Sequence, residues 1–418
     1  MAFYRYRSFF GAPGLGALLV CLGATGALAH GPGQAEPLQA VPAPAINSTP
    51  SASGTVVPLS SVPQLSSHPQ STVKIYLDFT GAAAQSWGSY NVTTTPAYDT
   101  DNDPTTFSSN ELSQIQEVWS RVAEKYSPFN VDVTTVDPGT YPYNKVVRVV
   151  IGGDGAWAGG VYGGYTYPGG FTGNTSNTSW IFPKNLGAGF PKYVAEASAH
   201  EAGHEFGLVH QSSYDAFGNK TDEYRGGRDK SNPNASDPIM GFSYYASRGL
   251  WATGPSSNGP SSTQDDLAII SSATNGFGYR PDDHGNTRAL ADQLTEPNGV
   301  DLSGSGVIEQ NTDVDYFHFT SDGGTVSIRA DVAPLGPMLD LALSLTDANG
   351  NVLSAADTAS LGESVSAIVP AGDYYLAVSS HGGYGDIGQY TITGTAVPEP
   401  GVVSVVLLAA AGLRRRRR

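Results

Sequence analysis

The stretch HEAGHEFGLVH, His200 to His210, sets three of the chain's eight histidines at offsets zero, four and ten, with Glu201 beside the first and Gly207 between the last two. The residues before it are alanine-rich and carry Pro191 where a first helical residue tolerates proline, so a helix is expected to about Phe206. On a helix His200 and His204 lie about 40° apart on one face with about 6 Å of rise between them, close enough to share one ion. Glu201 is turned away by about 100°, out of ligand reach but able to serve a water on that ion. A continued helix would carry His210 about 240° round from His204 and away from the ion. Gly207 removes that obstacle, because a left-handed residue there ends the helix and returns His210. Three neutral imidazoles with an open position describe a catalytic zinc centre, whereas structural sites are closed by four protein ligands, commonly cysteine. One catalytic Zn2+ is the expected cofactor.

The set His200, Glu201, His204, Gly207 and His210 matches HExxHxxGxxH in every position, and by it the chain resembles the metzincin family of zinc endopeptidases. The resemblance implies that Glu201 acts as general base and that a methionine lies in a tight turn beneath the metal. SDPIMGFSYY offers Met240 for that turn, thirty residues after His210; Met1 and Met338 lie outside this domain. The chain departs from some metzincin groups at Phe242, where a tyrosine would stand near the zinc. Tyr244 and Tyr245 are the neighbouring hydroxyls, and the identity of a transition-state donor stays open. A gluzincin arrangement, with a glutamate as third ligand, is disfavoured because His210 occupies the ligand place. The expected function is a zinc metalloendopeptidase acting on proteins or peptides. The alternative is an inactive metzincin-like binding protein of a surface or matrix, against which the intact Glu201 argues.

Working outward, the residues around the motif read as a mixed sheet with helices. TVKIYLDFTG alternates Val73, Ile75, Leu77 and Phe79 against Lys74, Tyr76 and Asp78, the period of a half-buried strand. SSNELSQIQEVWSRVAEKY opens with a capping box, Ser108 with Glu111, and continues as an amphipathic helix. FNVDVTTV, NKVVRVVIGG and TSWIFP read as further strands, the last after a Gly- and Tyr-rich stretch from Gly152 to Gly173. A final helix through Leu267, Ile269 and Ile270 is expected to be capped by Ser262 or Thr263. Asp99, Asp101 and Asp103 alternate in a way that can cradle calcium, but Pro104 stands where an EF-hand needs glycine, and a solvated acidic loop is the other reading.

Beyond Tyr279 the composition changes: Asp282 to Val397 holds sixteen acids and only Arg288 and Arg329 as bases. DVDYFHF, GTVSIRADV, LDLALSLTDANGNVL, SVSAIVPAGDYYLAVSS and GQYTITGTA alternate like strands, with Asn349-Gly350 as a hairpin turn. From DDHGNTRALA through DVDYFHF to AGDYYLAVSS this part resembles the bacterial pre-peptidase C-terminal domain. The resemblance implies a small β-sandwich with an accessory role, in which His284 and His318 are not metal ligands. The expected fold is thus α+β, a mixed-sheet metzincin-like domain over 71–280 followed by an all-β sandwich over 281–397.

The ends read as addresses. Arg5 and Arg7, the apolar run Leu15 to Leu22 and the small residues Ala27 to Ala29 form a signal peptide, 1–29, whose removal takes away Cys21, the one cysteine. Residues 398–418, with Pro398-Glu399-Pro400, an apolar stretch and five arginines, resemble a PEP-CTERM sorting signal. That implies an exosortase-type partner, transient membrane contact through this segment only, and a final place on the bacterial cell surface or in the extracellular matrix. Losing seven arginines and Glu399 with these ends moves the net charge from −16 to −22, a field that repels nucleic acid and anionic lipid. Residues 30–70 are rich in Pro, Ser and Ala, with Glu36 as the single charged residue, and read as a flexible linker or short pro-segment. Without Cys or Asp, this segment is expected to hold no thiolate or carboxylate plug for the zinc.

Overall fold

The computed structural model describes residues 35–43, 55–173, 175–227 and 235–398. The expected signal peptide with Cys21, and the expected sorting segment past Pro398, lie outside the described residues. No described helix is long and apolar enough to cross a membrane. Strand outweighs helix, 41% to 15%, so the chain as a whole is mostly β.

The first sheet has six strands: β1 (Glu36–Gln39), β2 (Lys74–Asp78), β3 (Asp132–Thr134), β4 (Val146–Ile151), β5 (Tyr162–Thr166) and β6 (Thr178–Ile181), in the order β1-β5-β6-β4-β2-β3. β3, β2, β4 and β6 run parallel, β5 is antiparallel to β6, and β1 is antiparallel to β5. The continuous apolar run of β4 suits a strand covered on both faces. The half-buried reading of β2 does not hold, since Tyr76 and Asp78 are buried as well. Asp78 reaches that position by accepting a bond from Arg148 Nε at 3.0 Å, and Tyr76 stacks on Tyr141.

Helix α1 (Ser109–Tyr126) begins at the expected capping box and buries Ile115, Val118, Val122 and Tyr126. Helix α2 (Pro191–Glu205), with proline in its first turn, is buried on nearly every side. Its alanines and Gly203 make that possible, because small side chains let neighbouring elements approach from all directions. The last helix of this region, α3 (Asp266–Ile270), is capped by Asp265, which accepts from Ala268 N. Ser262 and Thr263 are instead drawn into a hairpin between Thr253–Ser256 and Gly259–Asp265.

Residues 30–70 are not the unpaired linker that composition suggests, as far as they are described. β1 belongs to the main sheet, Val56–Pro58 pairs with Thr106–Ser108, and Ser67 N donates to Val133 O at 3.1 Å.

The second sheet is sandwich-like and built from β7 (Asp301–Ile308), β8 (Val314–Val332), β9 (Leu341–Asp347), β10 (Val352–Ala356), β11 (Glu363–Ser380) and β12 (Gly388–Pro398), in the order β7-β12-β8-β11-β9-β10, with the short Asp292–Gln293 strand beside β8. DVDYFHF and GTVSIRADV join into the single long β8, paired with β11 from Val314–Ser379 to Ala330–Glu363. Gly323, at φ +94°, and Pro370 face each other where the ladder skips one pair, and the register is the same on both sides, Asp322 with Ala371 and Gly324 with Val369. Asn349-Gly350 makes the β9-β10 turn, with Gly350 at φ +86°.

The two sheets are joined by buried polar groups. Lys125 Nζ donates to Gly249 O at 2.8 Å and Gly336 O at 2.9 Å, Glu124 accepts from Met338 N at 3.0 Å, and Arg248 pairs with Asp386.

Candidate metal centre

α2 stops where the glycine requires it. Gly207 takes φ +97°, its N–H donates to His204 O at 2.8 Å, and Leu208 N donates to Gly203 O at 3.1 Å. These are the two bonds of a Schellman end, which satisfy carbonyls the helix would leave unpaired. The chain then turns so that His210 faces the helix. His200 Nε2 lies 3.1 Å from His204 Nε2, and that atom lies 3.2 Å from His210 Nε2.

The opposite ring nitrogens are each anchored by an oxygen. His200 Nδ1 faces Ile239 O at 2.7 Å, His204 Nδ1 faces Leu208 O at 2.8 Å, and His210 Nδ1 faces Glu223 Oε1 at 2.8 Å. Hydrogen on each Nδ1, the tautomer this network assigns, leaves three Nε2 lone pairs turned on one another. Burial, with His210 nearby, pushes the His200 pKa down to about 3, and burial pushes His204 well below its usual value. Three buried, convergent nitrogens with oriented second partners are a donor set that fits zinc.

Glu201 is fully buried and neither carboxylate oxygen has a hydrogen-bond partner. Burial raises its pKa well above the ordinary glutamate value, the Thr166 hydroxyl draws it down, and Glu36 raises it further. The carboxylate lies against β5, where a Cβ built at Gly164 would stand 2.4 Å from Glu201 Oε1.

Met240 is buried under α2, with its sulfur only 2.8 Å from where a Cβ at Gly203 would be. Its turn ties the motif together: Ile239 O holds His200, and Met240 O accepts from Gln211 N at 2.7 Å. Phe242 is buried nearby. Tyr244 is buried with its hydroxyl unpartnered, 3.4 Å from a Cβ position on Gly163 of β5.

Several residues here escaped sequence reasoning. Glu223 sits in a polar loop with no spacing signal; burial acts to raise its pKa, but bonds from His210 and Lys220 hold it below the usual range. Tyr224 lies with its ring 4.5 Å from that of His210. Gly164 and Gly203 matter for the atoms they leave room for. The expectation of no carboxylate plug is corrected by Glu36, whose Oε2 comes within 3.4 Å of His210 Nε2. A glutamate can serve there as well as an aspartate, and only the strand pairing of β1 reveals where it goes.

Away from this centre, Asp99 and Asp101 come together with Glu111 rather than with Asp103. Asp103 accepts instead from Thr105 and Thr106. His284 and His318 are spent on Asp292, Ser305 O, Gln293 and Asp373.

No protein-family profile matches the chain, and no curated protein does. Among solved structures it is similar to the pre-peptidase C-terminal domain of a collagenase from Bacillus anthracis, at 16% identity, 26% of this chain, 99% of that one and TM-score 0.21. It is also similar to PliG of Aeromonas hydrophila, a periplasmic inhibitor of g-type lysozyme, at 9% identity over 25% of this chain and 94% of that one, TM-score 0.20. A third likeness, to a beta-glucosidase from Paenibacillus barengoltzii, has 15% identity over 30% of this chain and 15% of that one, TM-score 0.15. The protein is a mostly β chain that holds a three-histidine cluster, and part of it bears a slight likeness to a pre-peptidase C-terminal domain.

Proposed function

We propose that the protein is a secreted zinc metalloendopeptidase, with His200, His204 and His210 holding one zinc ion and Glu201 serving as general base. The observation that carries this reading is the convergence of three buried Nε2 atoms beside a buried carboxylate with no competing hydrogen bond. Zinc bound there would lower the pKa of a water and polarise a carbonyl oxygen. Glu201, whose carboxylate is buried beside the three histidines, is the group that would take a proton from water and deliver it to a leaving amine. The edge of β5 that β1 pairs with here has the main-chain groups with which an extended peptide would pair. Tyr244, with its unpartnered buried hydroxyl, is the better placed of the two tyrosines to donate to a developing oxyanion. The signals at the two ends support export, with the mature protein ending near Pro398 after sorting.

Casein digestion by the processed protein, abolished by a zinc chelator and restored by Zn2+, is the expected result. Glu201→Ala should keep its zinc and lose activity on the order of 10²-fold or more. Full zinc content with no cleavage by the processed wild type would favour the binding-protein alternative.

A further inference from the structure

We propose that the second sheet is a working part of the metal centre rather than an attachment to it: Arg248 and Lys125 are positioning residues, fixed by oxygens of the second sheet, that hold the turn of Met240 and helix α2 in register. The proposal rests on the zinc-peptidase reading and adds what keeps the ligands in place.

One connection runs through Arg248. Its buried guanidinium donates to Met338 O and, at 2.5 Å, to Asp386 Oδ1, both on loops of the second sheet. Arg248 opens the short strand Arg248–Leu250, which pairs in parallel with Ser236–Pro238 just before the turn of Met240. Leu250 O accepts from Ile239 N at 2.8 Å, and Ile239 O is the acceptor that faces His200 Nδ1 at 2.7 Å. From the Asp386 carboxylate to the His200 ring, each hydrogen bond is separated from the next only by one side chain or a short piece of backbone. A shift of Arg248 is therefore carried to the orientation of a ligand imidazole.

The other connection runs through Lys125, which is 1% exposed. Its ammonium donates to Gly336 O of the second sheet at 2.9 Å and to Gly249 O, on the same strand as Arg248, at 2.8 Å. It also lies 3.7 Å from Glu196 Oε1. Glu196 stands on α2 one turn before His200, and its other oxygen accepts from Ser243 Oγ at 2.6 Å, three residues past Met240. Gly249 leaves room for this carboxylate, since a Cβ there would stand 2.2 Å from Glu196 Oε2. One ammonium thus ties together the second sheet, the strand behind the Met240 turn and the helix that carries two ligands. A buried cation is tolerated only with its partners in place, and here part of each partner set lies across the boundary. Met338 is fully buried in the same hydrophobic core as Met240 and Trp251, so the packing is continuous where the polar groups meet. An attachment free to detach would satisfy its charges within itself.

The test uses the whole exported chain with Asp386→Asn, which weakens the hold on Arg248, and Ser243→Ala, which frees Glu196 from the Met240 turn. Arg329→Ala, which removes an exposed ion pair with Asp331 elsewhere on the second sheet, is the control. Competitive zinc titration should show affinity about tenfold weaker in Asp386→Asn and in Ser243→Ala, and unchanged in the control. Coupling between two sites is reciprocal, so zinc should in turn slow amide exchange about tenfold at Met338 and Gln389, whose N–H groups donate to Glu124 across the boundary. This second measurement is made on the wild type and decides the matter even where a variant folds poorly. A merely structural contact would lower the melting temperature of the variants while leaving zinc affinity alone. Wild-type zinc affinity in both folded variants, with exchange at Met338 and Gln389 indifferent to zinc, would overturn the coupling. A wild-type chain that takes up no zinc would instead overturn the metal centre, and the proposal with it.

Discussion

The Glu201 carboxylate owes its position to a residue on another element, Gly164 of β5. A methyl group added there would stand 2.4 Å from Glu201 Oε1, and in a strand buried between β1 and β6 the backbone has little freedom to retreat. Gly164→Ala should therefore retain zinc while activity falls about 10²-fold, the cost of displacing a reacting group by about 1 Å; an unchanged kcat would show that the base tolerates the shift. Glu223 holds His210 Nδ1 and through it would act on the proposed metal. Glu223→Gln should weaken zinc affinity about 10- to 100-fold, read by competitive zinc titration, and unaltered affinity would leave Glu223 only a bystander. The three histidines and Glu201 were legible because their relation to one another is local in sequence. Gly164, Glu223 and Glu36 were not, because nothing in a strand or loop records which helix it will meet.

The end of α2 decides whether two of the three histidines become three. The space beyond Gly207 is open, its nearest neighbour to a built Cβ being Ile269 at 3.9 Å, so substitution there costs through backbone conformation rather than collision. A left-handed residue with a side chain costs about 1–2 kcal/mol, and a β-branched one resists the turn more strongly. Gly207→Val should lose zinc content and melting temperature together, whereas Gly207→Asn, which tolerates this conformation, should keep both nearer wild type; equal zinc in both would show that the Schellman end does not position His210. The starts of α1 and α2 could be read from Ser108, Glu111 and Pro191, since caps are made by residues within one turn. β5 could not be read as a strand, because Tyr-Gly-Gly-Tyr-Thr carries too much glycine to look like one. Those glycines answer to Gln39 O at Gly163 and to Glu201 at Gly164, contacts that only the assembled sheet creates.

Across the whole molecule, the boundary between the two sheets is held by Glu124 and Lys125 at the end of α1. Burial raises the Glu124 pKa to about 7, against bonds from Met338 and Gln389 that draw it down, from an ordinary value of 4.5. Between those two values the folded chain binds more protons than the unfolded one, so this group stabilises the fold at low pH and that contribution is lost as pH rises through about 7. Glu124→Gln removes the titration, so its melting temperature relative to wild type should improve from pH 5.5 to pH 8; a difference that stays flat would mean the carboxyl is not titrating at the interface. By itself the sequence determined the starts of α1 and α2, the alternating strands of the second sheet and the offsets that bring His200, His204 and His210 together, because each depends on the geometry of a few consecutive residues. The tertiary structure alone decided that β1 lies on β5, that Glu36 reaches His210 and that Glu124 is buried between sheets. These contacts join segments far apart in the chain, and their partners are chosen by burial and strand pairing rather than by any local pattern.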